Sequence, residues 1–178
     1  MSTRSRPARV RRASVALIAS APLALAACAG TVNLEPAPES NAYACAEISV
    51  RLPDEIAGLD RRTTNAQATA AWGDPAAVIY RCGLPAPGPS ELPCFTVDGV
   101  DWLLDESDAP RYVFTTYGRE PATEVIVDDD VVRGPDALRP ISAAVASTEP
   151  TSQCLAATDV FGGGSVTSED DGADSGDE

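Results

Sequence analysis

The sequence predicts an α+β domain: a mainly antiparallel sheet with a helix at each end of the domain, braced by two disulfides. Three observations lead there. A short helical pattern comes first, a block of β-branched, alternating segments follows, and a second helical pattern closes the order. Four cysteines (Cys45, Cys82, Cys94 and Cys154) are spread through the same stretch, residues 43–161. With 178 residues, 44% of them hydrophobic, the chain has room for one such domain.

Taken in order, residues 44–52 place Cys45, Ile48 and Leu52 at helical spacing, and Pro53 stops the run. Another turn of helix is expected over residues 54–59. The β-branched run 76–82 reads as a strand. In residues 95–104, Asp98-Gly99 stands between two alternating stretches, the signature of a hairpin, with Val100, Trp102 and Leu104 sharing one face of its second arm. Residues 111–117 and 122–127 read as two further strands joined through residues 118–121. The last element, residues 140–147, suits a helix with Pro140 at its first position and Ile141, Ala144 and Val145 on one face. An even cysteine count in an exported chain implies disulfides, and four cysteines permit three pairings. The stiff loop with Pro85, Pro87, Pro89 and Pro93 favours Cys82–Cys94, which leaves Cys45–Cys154 to join the domain ends. A four-thiolate zinc site needs C-x-x-C pairs, and the sequence has none.

The flanks read as an address and a tail. Residues 1–12 carry five arginines and no acid, and a 15-residue apolar run, 13–27, follows and ends at Cys28. That run is shorter than the roughly 20 residues a spanning helix needs, so residues 1–27 are expected to be a signal peptide. Leu25-Ala26-Ala27-Cys28 resembles the bacterial lipobox, which makes Cys28 the expected lipidation site; an ordinary A-x-A cut leaving a free thiol is the blander alternative. Arg11-Arg12 hints at twin-arginine export, although Ala13 and Ser14 fit that signal poorly. Residues 28–42 are expected as a lipidated tether, and residues 162–178, rich in Gly and acids, as a disordered acidic tail. From Cys28 onward eight arginines face 27 acids, a net charge of −19, so the expected membrane partnership runs through the lipid anchor alone. The localisation that follows is the outer side of the cell membrane.

Four stretches carry a family likeness: Trp72-Gly73-Asp74-Pro75, Arg81-Cys82-Gly83, residues 99–103 (Gly-Val-Asp-Trp-Leu) and Thr116-Tyr117-Gly118-Arg119. Together they resemble an actinobacterial family of exported proteins known as domain of unknown function 3515. The likeness spans most of residues 43–157. The resemblance implies an exported, often membrane-attached protein with cysteines at these four positions, and it implies no catalytic residues.

Composition closes several kinds of chemistry. With no His and no Lys, histidine-based dyads and triads, His-containing zinc sites and lysine-assisted nucleophiles are excluded. A net charge of −14 argues against nucleic acid as a partner. No cofactor motif and no metal-ligand spacing occurs; Asp170, Asp171, Asp174 and Asp177 do not match an EF-hand loop. Carboxylate clusters (Asp98 with Asp101; Asp105, Glu106 and Asp108; residues 128–130) leave room for a glycosidase-like pair, which would need a cleft with aromatic walls. Turn chemistry and solvated loops explain the same acids. The candidate binding residues are Arg81, Asp101, Trp102, Tyr117 and Arg119: arginines able to fork onto a carboxylate or phosphate, with aromatics beside them. Against each stands a bland role, core packing for the tryptophan and ion pairing for the arginines. The expected function is a non-enzymatic envelope lipoprotein that binds an envelope protein or cell-wall component. The alternative is a carboxylate-based enzyme, or enzyme accessory, acting on wall polymers.

Overall fold

The computed structural model describes residues 30–155. Eight strands form an antiparallel sheet in the order β1-β2-β3-β4-β8-β7-β6-β5. They are β1 (Glu55–Ile56), β2 (Leu59–Arg62), β3 (Thr69–Trp72), β4 (Val78–Leu84), β5 (Cys94–Val97), β6 (Val100–Asp108), β7 (Arg111–Thr116) and β8 (Ala122–Asp128). Two helices, α1 (Tyr43–Ser49) and α2 (Gly134–Val145), complete the fold.

Alternation decides the faces. Along β4 the burial pattern switches residue by residue, with Val78, Tyr80 and Cys82 inward and Ile79 and Arg81 half-buried on the other side. Register carries that parity across the sheet: Tyr80 lies opposite Val125, Val125 opposite Phe114, and Phe114 opposite Leu104. Both helices cover this inward face. Trp102 on β6 is fully buried there and donates from Nε1 to Ser142 Oγ of α2 at 3.0 Å, so its polar edge is satisfied inside the core. Trp72 is equally buried and donates to the Pro53 carbonyl at 3.1 Å. The second face carries Thr69, Arg81, Glu124, Thr115, Leu103 and Cys94 along one cross-strand row, and among the described residues no helix lies over it.

The hairpin at Asp98-Gly99 forms as expected, with both central residues in the left-handed region (φ 47° and 78°) that a two-residue hairpin turn requires. Residues 54–59 are a correction: instead of a helical turn they make the β1–β2 hairpin, turned by Ala57 and Gly58 at positive φ. The second helix starts earlier than its apolar spacing suggested. Pro135 occupies its first turn, and Pro140 lies inside rather than at the start.

The disulfides pair Cys45 with Cys82 and Cys94 with Cys154, which overturns the expected Cys82–Cys94 and Cys45–Cys154 connectivity. Strand order explains it. Three strands separate β4 from β5. At roughly 4.8 Å per strand, Cys82 and Cys94 stand about 19 Å apart, far beyond the ~7 Å a disulfide bridges. They also point to opposite faces. The proline-rich loop thus crosses the end of the sheet rather than closing a small ring.

Nor do helices bound the domain. Residues 30–42, expected as a tether, lie against the sheet as a leading strap. Val32 bridges to Thr64, Leu34 N–H donates to Asn65 Oδ1 at 2.7 Å, and Ala37 and Ser40 are buried. After α2, residues 148–154 form a trailing strap that rounds the sheet end to reach Cys94 on the helix-free face. Residues 1–29 and 156–178, which include the expected signal peptide, Cys28 and the expected acidic tail, lie outside the described residues.

Candidate functional site

The β6 strand, the β7–β8 connection and the trailing strap meet on the helix-free face. Asp101 of β6 lies opposite Thr96 of β5. Its carboxylate accepts from the Thr96 hydroxyl at 2.6 Å and from the Cys154 backbone N–H at 2.7 Å, so a strand side chain and the strap are joined through one group. The Asp101 carbonyl accepts from Tyr117 N–H at 2.8 Å, which fixes where β7 gives way to the connection.

Gly118 is the hinge of this arrangement. It adopts φ 70°, and a β-carbon there would collide with the Ser152 backbone, so a side chain is excluded on both grounds. Its carbonyl accepts from Thr151 N–H at 2.6 Å and from the Thr151 hydroxyl at 3.1 Å. Arg119 follows, only 4% exposed. Its Nη1 donates to the Thr148 carbonyl and, at 3.0 Å, to Thr148 Oγ1. Burial lowers the guanidinium pKa, an effect opposed by the negative charges of Asp101 and Glu149.

These pieces wall a cavity of about 610 Å³ whose lining includes Thr96, Asp101, Tyr117, Arg119, Thr151 and Ser152. A second cavity of about 330 Å³ adjoins it across Cys154 and is lined by Leu92, Leu103 and Leu155. Cys94 is exposed and Cys154 half-buried, so their disulfide stands between the two openings.

Of the sequence-derived candidates, the structure brings Asp101, Tyr117 and Arg119 together. It does not bring Arg81, which pairs with Glu124 at 2.8 Å within the sheet and does not line this cavity. Nor does it bring Trp102, which is wholly buried on the opposite face and does not line this cavity. The residues missed were Thr96, Thr148, Thr151 and Ser152. The signal for Thr96 was its place in the hairpin opposite Asp101. The strap residues became legible only with the right partner for Cys154. Elsewhere, Asp60 and Asp74 line a common pocket, and Asp74 is paired with Arg62 at 2.9 Å. Among the described residues no group of three His, Cys, Asp or Glu could hold a metal ion, and no helix is long and apolar enough to cross a membrane.

Searches of curated proteins and of solved structures returned no match. A family model described as "protein of unknown function (DUF3515)" matches residues 12–154. The chain belongs to the DUF3515 family.

Proposed function

We propose that the protein is a lipid-anchored envelope protein on the outer side of the cell membrane, working as a non-enzymatic binding module. The observation that carries this reading is the Arg119 cavity. It opens beside an accessible disulfide, and the carboxylate in its lining, Asp101, already accepts two hydrogen bonds. A glycosidase-like mechanism needs two carboxyl groups facing each other across a substrate. Among the described residues this lining has one, and both tryptophans are buried in the core. Recognition of a polar ligand is the chemistry these residues support: a buried cation, hydroxyls and a rigid backbone frame. The lipobox-like Leu25-Ala26-Ala27-Cys28 supports the anchor, since two acyl chains at about 0.8 kcal/mol per methylene give stable attachment.

The test has two parts. A photo-crosslinking residue at exposed Ser152 in intact cells is expected to capture a discrete envelope partner, while the same probe at exposed Val50 on the helix side captures none. Equal capture at both positions overturns the siting. Cys28→Ala is expected to abolish incorporation of a labelled fatty acid, and persisting label overturns the anchor.

A further inference from the structure

Arg62 and Arg119 do matching jobs in unmatched surroundings. Each reaches a backbone carbonyl of a strap: Arg62 Nη2 donates to Gly30 at 2.7 Å, and Arg119 Nη1 to Thr148. Arg62 also has a carboxylate, Asp74, at 2.9 Å. Among the described residues Arg119 has none within 4.0 Å. Arg51, Arg61 and Arg111 share that lack, but they are exposed or half-exposed, where water solvates the charge. Arg119 is the buried one. Asp101 and Glu149 act on it only at longer range, and the Asp101 oxygens are already occupied by Thr96 and Cys154.

A guanidinium keeps its proton even when desolvated, so a buried one without a directly paired carboxylate carries a standing cost that an anion can relieve. The geometry says which anion. Thr148 engages Nη1 alone. Nε is buried with no acceptor, and Nη2 makes no hydrogen bond among the described residues. Those two nitrogens form the side-on edge of the fork, two parallel donors that suit a planar carboxylate. Tyr117 and Ser152 line the same cavity, and their hydroxyls have no hydrogen-bond partner among the described residues. The described lining offers one cation, and the Asp101 and Glu149 carboxylates already offset part of its charge, which disfavours a doubly charged phosphate.

We infer that this cavity binds the carboxylate of a short peptide or other small organic acid, with Arg119 as the fork and the Tyr117 and Ser152 hydroxyls beside it. The inference rests on the reading of the protein as a binding module and names its ligand class.

Calorimetric titration of the detergent-solubilised full-length protein tests it, with four probes: N-acetyl-glycyl-glycine, its C-terminal carboxamide, acetate and inorganic phosphate. The peptide acid is expected to bind at least tenfold more tightly than the carboxamide. Acetate binding as well as the peptide acid makes the source any carboxylate, and acetate binding more weakly makes it a peptide terminus; both support the site. Arg119→Met is expected to weaken the acid at least tenfold. Should that variant not fold, Asp101→Asn carries the test. It keeps an acceptor for the Cys154 N–H while removing the opposing charge, and is expected to tighten acid binding several-fold. No binding of the acid, equal binding of the carboxamide, tighter binding of phosphate, or weakened binding in Asp101→Asn overturns the inference. Such a result leaves partner capture at Ser152 intact. Failed capture with intact carboxylate binding sinks the envelope reading instead.

Discussion

The leading and trailing straps are built alike and placed differently. Each runs against the backbone of a positive-φ glycine: Glu39 N–H donates to the Gly83 carbonyl at 2.9 Å, and Thr151 N–H to the Gly118 carbonyl at 2.6 Å. Each is hooked by an arginine and each leads to a disulfide. The leading strap runs into α1, and its Cys45–Cys82 bond is fully buried under the helices. The trailing strap ends on the opposite face, where the Cys94–Cys154 bond meets solvent. The same fastening therefore serves the core on one side and frames an open cavity on the other. Burial, not the fastening itself, separates a stabilising clamp from an adaptable rim.

Removing the bonds breaks the comparison most severely. Loop entropy alone ranks the outer bond higher: separations of 37 and 60 residues correspond to about 3.8 and about 4.3 kcal/mol. Burial reverses the order, because losing the inner pair also leaves a hole in the core. Replacing Cys45 and Cys82 by Ala is expected to cost about 5–6 kcal/mol in urea unfolding, roughly 1 kcal/mol more than the Cys94/Cys154 pair. Equal costs, or the loop-entropy order, would erase the distinction.

The glycines come next. A β-carbon at Gly83 would meet the Glu39 and Ser40 backbone, as one at Gly118 meets Ser152. Gly83→Ala is expected to cost about 2–4 kcal/mol, because the strap it displaces is continuous with the buried clamp. Gly118→Ala is expected to cost less, about 1–3 kcal/mol, and to show itself as fast amide exchange confined to residues 148–154. Protection kept there would count against the hinge.

Mild reduction sharpens the contrast without mutation. In native buffer, mass-resolved alkylation is expected to label Cys94 and Cys154 at least ~10-fold faster than Cys45 and Cys82, since exchange requires access to sulfur. Simultaneous labelling would mean that the inner bond opens as readily as the outer.

A smaller effect reports on the dryness of the inner side. Tyr80, two residues from Cys82 on the same face, has its phenol pKa raised well above the usual 10.0, chiefly by burial. Since the folded pKa lies above the unfolded one, Tyr80 contributes stability that is whole below pH ~10 and is lost as pH rises through the folded value. Alkaline unfolding is expected to become shallower in Tyr80→Phe. An unchanged pH slope would contradict it.

What the sequence disclosed follows physical range. The Asp98-Gly99 turn, α1 and strands β4, β7 and β8 were legible, because local alternation, turn chemistry and a terminating proline specify them. β3 was not: Thr69-Ala70-Ala71-Trp72 is poor in β-branched residues and buried on both faces, so no alternation marks it. The disulfide pairing depends on β4 joining β8 rather than β5, a long-range fact that cysteine spacing does not encode. At the site, Asp101, Tyr117 and Arg119 stood out as a polar and aromatic cluster beside glycine. Arg81 looked equivalent and proved to be a sheet ion pair, a difference set by cross-strand register with Glu124.

The sheet ends in short margins: β1 has two residues and β5 four, the latter preceded by Pro93. β5 pairs with only Val100–Leu103 of β6; the uncovered end of β6 carries Asp105, Glu106 and Asp108, charges that oppose strand addition, and a proline cannot extend the ladder. Crowded copies of this protein thus find little template for stacking into fibres, and a molecule held at high local density can stay separate from its neighbours.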